Sequence, residues 1–223
     1  MCGRARQVLD WQELKVQWWH GQPALNIEPR WNAAPRQNLT MIRAHGDSDG
    51  AEAVAMNWGF VPSWEKDPKG GRRPINAKAE SIAAGSGMWR DAFRRRRAVF
   101  PVSGFYEWQR IGAEKRPYSI DPSDGGVMAL AAIWDRWCDP STAEILTSFA
   151  VITCPANATM AAIHDRMPVV IAPCDLESWL RAPAEVALTL LKPCPDDALR
   201  VYPVSPRLGN VRNDGPDLLD PAR

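Results

Sequence analysis

The spacing of apolar and polar positions changes period several times along the chain. After Asp10, with Glu13 three residues on, Trp11, Leu14, Trp18 and Trp19 recur at three- to four-residue intervals. This pattern predicts an N-capped amphipathic helix with its tryptophans turned to the core. Two β-type runs follow, residues 39–43 and 54–58, and the Gly/Asp/Ser-containing turn at 45–50 between them suggests a hairpin. A Pro/Gly/Lys-rich loop covers 62–73, and Trp89 and Phe93, four apart within 88–96, predict a helix. Segments 99–110, 117–120, 127–134 and 145–153 are β-rich, with Pro101, Gly104 and Gly112 expected to bend or break them. Residues 176–180 and 185–191 read as two short helices and 201–204 as a strand; the Asp/Pro/Gly-rich stretch 210–223 reads as a loosely ordered tail.

Helices and strands interleave without regular βαβ units, glycine-rich phosphate loops or internal repeats. The expected fold class is therefore α+β: a single domain over residues 1–223, around a mixed, largely antiparallel, barrel-like β-sheet with peripheral helices. With 45% of its 223 residues hydrophobic, the chain can bury one sizeable core. The apolar run at 127–134 is far shorter than the roughly 20 residues that span a bilayer. The start Met1-Cys2-Gly3-Arg4 lacks the apolar stretch of a signal peptide, so a cytoplasmic protein without membrane contact is expected.

Five cysteines without a Cys-x-x-Cys pair argue against a disulfide framework and a structural zinc site, and neither a metal nor a cofactor is expected. Cys138, Cys154, Cys174 and Cys194 read as small structural residues. The formal net charge of +1 gives no bulk attraction to nucleic acid. Locally, Arg72, Arg73, Arg90 and the arginine run 94–97 gather cations in one segment, while acidic residues concentrate at Asp196, Asp197 and 214–220. Such a basic face suits a phosphate backbone, and it equally suits a solvated helix end.

Four positions carry candidate chemistry. Removal of Met1 would leave Cys2 with a free α-amine beside its thiol, groups that titrate near ~8 and ~8.5 and are both reactive at neutral pH. The amine can condense with an aldehyde to a Schiff base, and the thiol can close on it to a five-membered thiazolidine; the alternative is an ordinary residue frayed at a chain end. Glu107, in Gly104-Phe105-Tyr106-Glu107-Trp108, lies by β alternation on the face opposite Tyr106 and Trp108, and reads as an acid–base group or as a solvent-facing strand residue. His164, in Ile163-His164-Asp165-Arg166-Met167-Pro168, is a candidate proton shuttle or a structural hydrogen-bonder. Asn76, after Pro74-Ile75, can orient a nucleophile or hold a sugar oxygen, or simply form a turn.

Taken in order, Met1-Cys2-Gly3-Arg4, Trp31-Asn32-Ala33-Ala34-Pro35, Trp58-Gly59-Phe60-Val61-Pro62-Ser63-Trp64, Ile75-Asn76-Ala77-Lys78-Ala79-Glu80, Phe105-Tyr106-Glu107-Trp108 and Ile163 to Pro168 resemble the SRAP family, named for SOS-response-associated peptidases. Val204-Ser205-Pro206 and Asn210-Val211 look similar too, so the resemblance spans nearly the whole chain. It implies recognition of abasic sites in single-stranded DNA and a thiazolidine crosslink through the N-terminal cysteine. By the same resemblance Cys2 supplies amine and thiol, Asn76 orients the terminus or the opened sugar, Glu107 moves protons, and His164 helps open the deoxyribose. Arg4, Lys78 and Arg166 would hold phosphates, Trp64 would stack on a base, and Pro35 would shape the pocket wall. Lys78 stands where the family usually has arginine, which loosens that phosphate contact, and Glu65 stands where a second aromatic is frequent. A monomer that joins the nucleoid when bound to DNA is expected, with lyase activity through the Schiff base as a side reaction. Two other readings stay open: an N-terminal-cysteine peptidase, and a non-catalytic single-strand-binding module.

Overall fold

The structure, a computed structural model, describes residues 2–10, 28–46, 50–67, 73–85 and 87–220. The helix expected after Asp10 lies outside these residues. The first half contributes β1 (Arg4–Gln7), β2 (Arg30–Ala33), β3 (Asn38–Ala44), β4 (Ala51–Trp58), β5 (Asn76–Lys78), α1 (Ala79–Ala83), α2 (Arg90–Arg95), β6 (Arg97–Val102) and β7 (Gly104–Ile111). The second contributes β8 (Glu114–Pro122), β9 (Met128–Cys138), β10 (Ile145–Pro155), α3 (Ala158–Ala161), β11 (Arg166–Pro168), β12 (Val170–Ile171), α4 (Leu176–Arg181), α5 (Ala184–Thr189) and β13 (Leu199–Pro203).

The strands form two sheets. One is antiparallel, in the order β13-β8-β7-β1-β2. In the other, β10-β4-β3-β6-β9 closes on itself because β9 also pairs with β10; β10–β4 is its parallel pair, and the result is a five-stranded mixed barrel. The short strands β5 and β11 also pair with β10, and β12 pairs with β9. Helices are few and short, as the α+β reading expects.

Trp58, Phe100 and Phe149 fill the barrel, with Trp58 5.5 Å from Phe100 and stacked 6.0 Å from Phe149. Their core is continuous with Ala5, Ala33, Phe105 and Ile120 of the antiparallel sheet, so the two sheets share one interior. On that sheet's other face a smaller cluster joins Tyr106, Val204, Leu208 and Leu218 to Trp31 and Trp108.

The hairpin expected from 39–58 is β3–β4, in register from Asn38 opposite Asn57 to Ala44 opposite Ala51. The segment 88–96 forms a single 3-10 turn leading into α2, and the apolar runs 176–180 and 185–191 form α4 and α5. Pro101 does not break its strand. By that point β3 no longer pairs with β6, so proline's missing N–H has no lost partner, and the Gln7 side chain donates to the Pro101 carbonyl instead. The stretch from Asn210, read as a loose tail, is fastened as far as Asp220. Asp214 accepts from the Trp31 and Asn32 backbones, Asn32 donates to Leu208, Asn210 and Asn213 carbonyls, and Leu218 is fully buried. Of the cysteines read as structural, Cys154 is buried as expected, whereas Cys138 and Cys174 are exposed.

Candidate active site and nucleic-acid interface

The antiparallel pairing of β1 with β7, Arg4 opposite Tyr106, draws the start of the chain alongside Glu107. Cys2 is 1% exposed. Burial pushes its thiol up from the ordinary range and the Glu107 charge pushes it further, so the sulfur is a protonated thiol at neutral pH. Sγ lies 3.9 Å from the Arg4 carbonyl, to which it donates weakly.

Asn76 arrives from the other sheet. The three-residue strand β5 has little apolar character of its own and exists because β10 pairs with it in parallel, Asn76 opposite Val151. This pairing aims the Asn76 amide at Cys2, whose carbonyl accepts from Nδ2 at 2.9 Å. The buried Asn76 Oδ1 has no hydrogen-bond partner among the described residues. A buried acceptor without a donor costs on the order of 1–3 kcal/mol, and a ligand donor would relieve it.

Glu107 is 4% exposed, which rules out the solvent-facing alternative. Alternation along β7 places Tyr106 and Trp108 with the small cluster and turns Glu107 to the opposite face. Glu107 and His164 line one cleft of about 630 Å³, together with Trp108, Arg110, Lys115, Ile163 and Gly209. His164 reaches it because Asn157 caps α3 and the Met160 carbonyl accepts from the His164 backbone, turning the chain sharply before β11. Its Nδ1 accepts from the Arg166 N–H at 3.0 Å, which in a neutral ring leaves the proton on Nε2. Asp165 Oδ1 lies 2.8 Å from the same nitrogen, a contact that suits a ring protonated at Nδ1, neutral or charged. Asp165 is mostly exposed, so the backbone bond is the better shielded of the two contacts.

Arg166 is clamped. Nη1 and Nη2 donate to the two Glu80 carboxylate oxygens at 2.7 and 2.9 Å, and Nη2 also donates to the Thr153 carbonyl at 2.6 Å. The fork draws the Glu80 carboxyl from its ordinary 4.5 down to about 2. Because this folded value lies below the unfolded one, the stabilisation is complete above about pH 4.5 and is lost as the pH falls toward about 2. Glu80 is half exposed, so Glu80→Gln should cost less than about 1 kcal/mol at pH 7. Urea titrations should show that difference vanishing near pH 2; a difference independent of pH would refute the pairing.

Arg4 is half-buried, and its buried Nε has no hydrogen-bond partner among the described residues. Lys78 ends β5 and is exposed. Cys2, Arg4, Asn76, Lys78, Glu107, His164 and Arg166 thus gather where β1 and β7 meet β5 and β11. Two of the expected site residues lie on other segments. Pro35 sits half-buried between β2 and β3, and Trp64, 64% exposed, lies in the turn after β4, anchored where Ser63 donates to Asp135. The cations Arg110 and Lys115 at the cleft were not singled out from the sequence, since on a β-hairpin they look like any solvated pair.

The sequence profile described as SOS response associated peptidase, SRAP, matches residues 1–211. This chain belongs to the SRAP family. Its relatives include the abasic site processing protein YoaM of Bacillus subtilis, 31% identical over 230 residues that cover 99% of this chain and 98% of that one. YedK of Escherichia coli, also named an abasic site processing protein, is 29% identical over 231 residues, covering 99% of this chain and 100% of its own. A crystal structure of a Bacteroides thetaiotaomicron protein has the same fold, with a TM-score of 0.85 at 23% identity and 100% of both chains covered. Within this SRAP chain Asn32 of the Trp31 to Pro35 motif has a structural task, holding the C-terminal segment by its amide.

Proposed function

We propose that this SRAP protein recognises abasic sites in single-stranded DNA and bonds to them covalently through Cys2 once Met1 has been removed. The names of its relatives support the substrate. The observation that carries the chemistry is the Asn76 amide holding the Cys2 carbonyl beside Glu107, at a cleft shared with His164.

The abasic sugar rests mainly as a closed hemiacetal. His164, with its proton on Nε2, donates to the ring oxygen while the C1′ hydroxyl loses its proton, and the ring opens to an aldehyde. The Cys2 amine attacks C1′, and loss of one water gives the Schiff base. The Cys2 sulfur then adds to the imine carbon as the thiol proton passes, through Glu107, to the imine nitrogen. Aldehyde and aminothiol have become a thiazolidine and water. A thiol kept protonated by burial favours this order, amine first and sulfur second. Asn76 Oδ1 offers the amine an acceptor. Loss of a C2′ proton from the Schiff base with departure of the 3′ phosphate is the competing lyase exit.

Arg4, Lys78 and Arg166 hold flanking phosphates in this reading, Trp64 stacks on a neighbouring base, and Pro35 walls the pocket. The protein acts as a monomer and is nucleoid-associated when on DNA. Processed protein incubated with an abasic single-stranded oligonucleotide should give a heat-stable shifted band on a denaturing gel, absent for Cys2→Ala. Cys2→Ser should form an imine trapped by borohydride but no stable band without it. Intact DNA binding with no band for the unmodified protein would overturn the crosslinking reading.

A further inference from the structure

Gly59, directly after β4, has φ +143, and two arginines flank the place where a side chain would project. A Cβ there would lie 3.5 Å from Arg73 Cβ and 3.7 Å from Arg36 Cδ. Arg36 itself has φ +74, a left-handed conformation that costs a non-glycine residue on the order of 1 kcal/mol. It is held there at both ends: its N–H donates to the Trp58 carbonyl at 2.8 Å, and its carbonyl accepts from Asn57 Nδ2 at 2.8 Å. The Arg36 side chain is exposed and makes no hydrogen bond or ion pair among the described residues. Arg73 is half-buried; burial, and then the charge of Arg36, disfavour its own charge. Two cations flanking a Cβ-free floor disfavour one another's charge, and an anion between them would relieve that repulsion.

The pair is also placed with respect to the cleft. Phe60 N–H donates to the Pro74 carbonyl and the Trp58 indole to the Ile75 carbonyl, each at 3.0 Å, so the end of β4 is stitched to the segment that delivers Asn76. Asn76 follows Arg73 by three positions, at most about 10 Å of extended chain. That separation corresponds to the next phosphate or two along a strand whose lesion is held at Cys2.

We propose that Arg36 and Arg73 form a second phosphate-binding point, gripping the DNA backbone on one side of the lesion. The proposal rests on single-stranded DNA being the substrate, and it locates part of that strand's path. Arginine suits the task, since two planar forks can share one phosphate through charge-assisted hydrogen bonds.

The test measures binding separately from bond formation, using fluorescence anisotropy with a labelled single strand that carries a tetrahydrofuran abasic analogue, which has no aldehyde. Arg36→Gly with Arg73→Gln should weaken binding about tenfold at 50 mM salt and reduce the slope of log affinity against log salt by about 0.7 for each phosphate lost. Arg36→Lys with Arg73→Lys should recover most of the slope and part of the affinity. Arg36→Gly alone should keep or raise the unfolding midpoint, since glycine suits φ +74, so weakened binding cannot be ascribed to misfolding. Unchanged affinity and slope would overturn the phosphate point while leaving the crosslinking reading intact. Weakened analogue binding alongside a parent protein that never crosslinks a true abasic strand would do the reverse.

Discussion

A chain with a lysine inserted between Met1 and Cys2, so that Met1 is retained, is expected to give no crosslink while still binding single-stranded DNA within a few-fold of the processed protein. Aminopeptidases release the initiator only before a small residue, and the lysine blocks them. The thiol survives the insertion; what is lost is an amine on the same residue. Closure of a five-membered ring from an imine already on Cys2 benefits from effective molarities on the order of 10⁵–10⁸ M, and an amine two residues away forfeits that advantage. The yield should fall at least about a thousandfold, read on denaturing gels with intact-mass confirmation of both termini. A band of near-normal intensity would show that the aminothiol is not the reacting unit.

The second large effect lies in the scaffold. Gly104 begins β7 where the backbone passes over a buried ion pair, Arg6 to Asp121 at 3.0 Å, with both side chains under 10% exposed, 8% and 6%. A methyl group there would sit 2.5 Å from Asp121 Oδ1 and 2.9 Å from Arg6 Nη2. Neither group can move freely, because Asp121 also accepts from Ser119 and Tyr202 and Arg6 donates to Ser103. Gly104→Ala should therefore cost about 3–5 kcal/mol, the range for breaking a buried pair, measured by urea denaturation. Gly46→Ala is the control: a Cβ there meets nothing, and only its positive φ is strained, for about 1 kcal/mol. Equal losses at the two positions would exclude a collision with the ion pair.

The longer elements were legible because each carries its own apolar period. The residues of β3, β4, β9 and β10 supply enough β-branched and aromatic side chains to announce a half-buried ladder, and α4 shows a helical stripe. By contrast, β1 (Arg-Ala-Arg-Gln), β5 (Asn-Ala-Lys) and β11 (Arg-Met-Pro) have no such signal. They are strands because β7 and β10 offer open edges, a long-range cause that a local pattern does not contain. The candidate site divides in the same way. Alternation was enough to put Glu107 opposite Tyr106 and Trp108, but its burial depends on what the barrel packs against that face. Cys2, Asn76 and His164 each had an ordinary local alternative, and only the ordered set of motifs made them one group. Arg36 was invisible, since nothing in Pro35-Arg36-Gln37 signals a left-handed arginine beside Gly59.

The bond from Asn76 to the Cys2 carbonyl spans 74 positions of sequence and joins one sheet to the other. A ribosome releases Cys2 first and Asn76 much later, so throughout synthesis the proposed nucleophile would be present without the neighbours assigned to activate it. Cellular sugars and small aldehydes would then meet an aminothiol lacking its proposed proton relay. Once the sheets dock, Cys2 itself is 1% exposed. In the proposed reaction, docking of the two sheets would thus act as a safety catch, arming the terminus only in a finished molecule and only for an aldehyde carried in on a strand that the surrounding cations could hold.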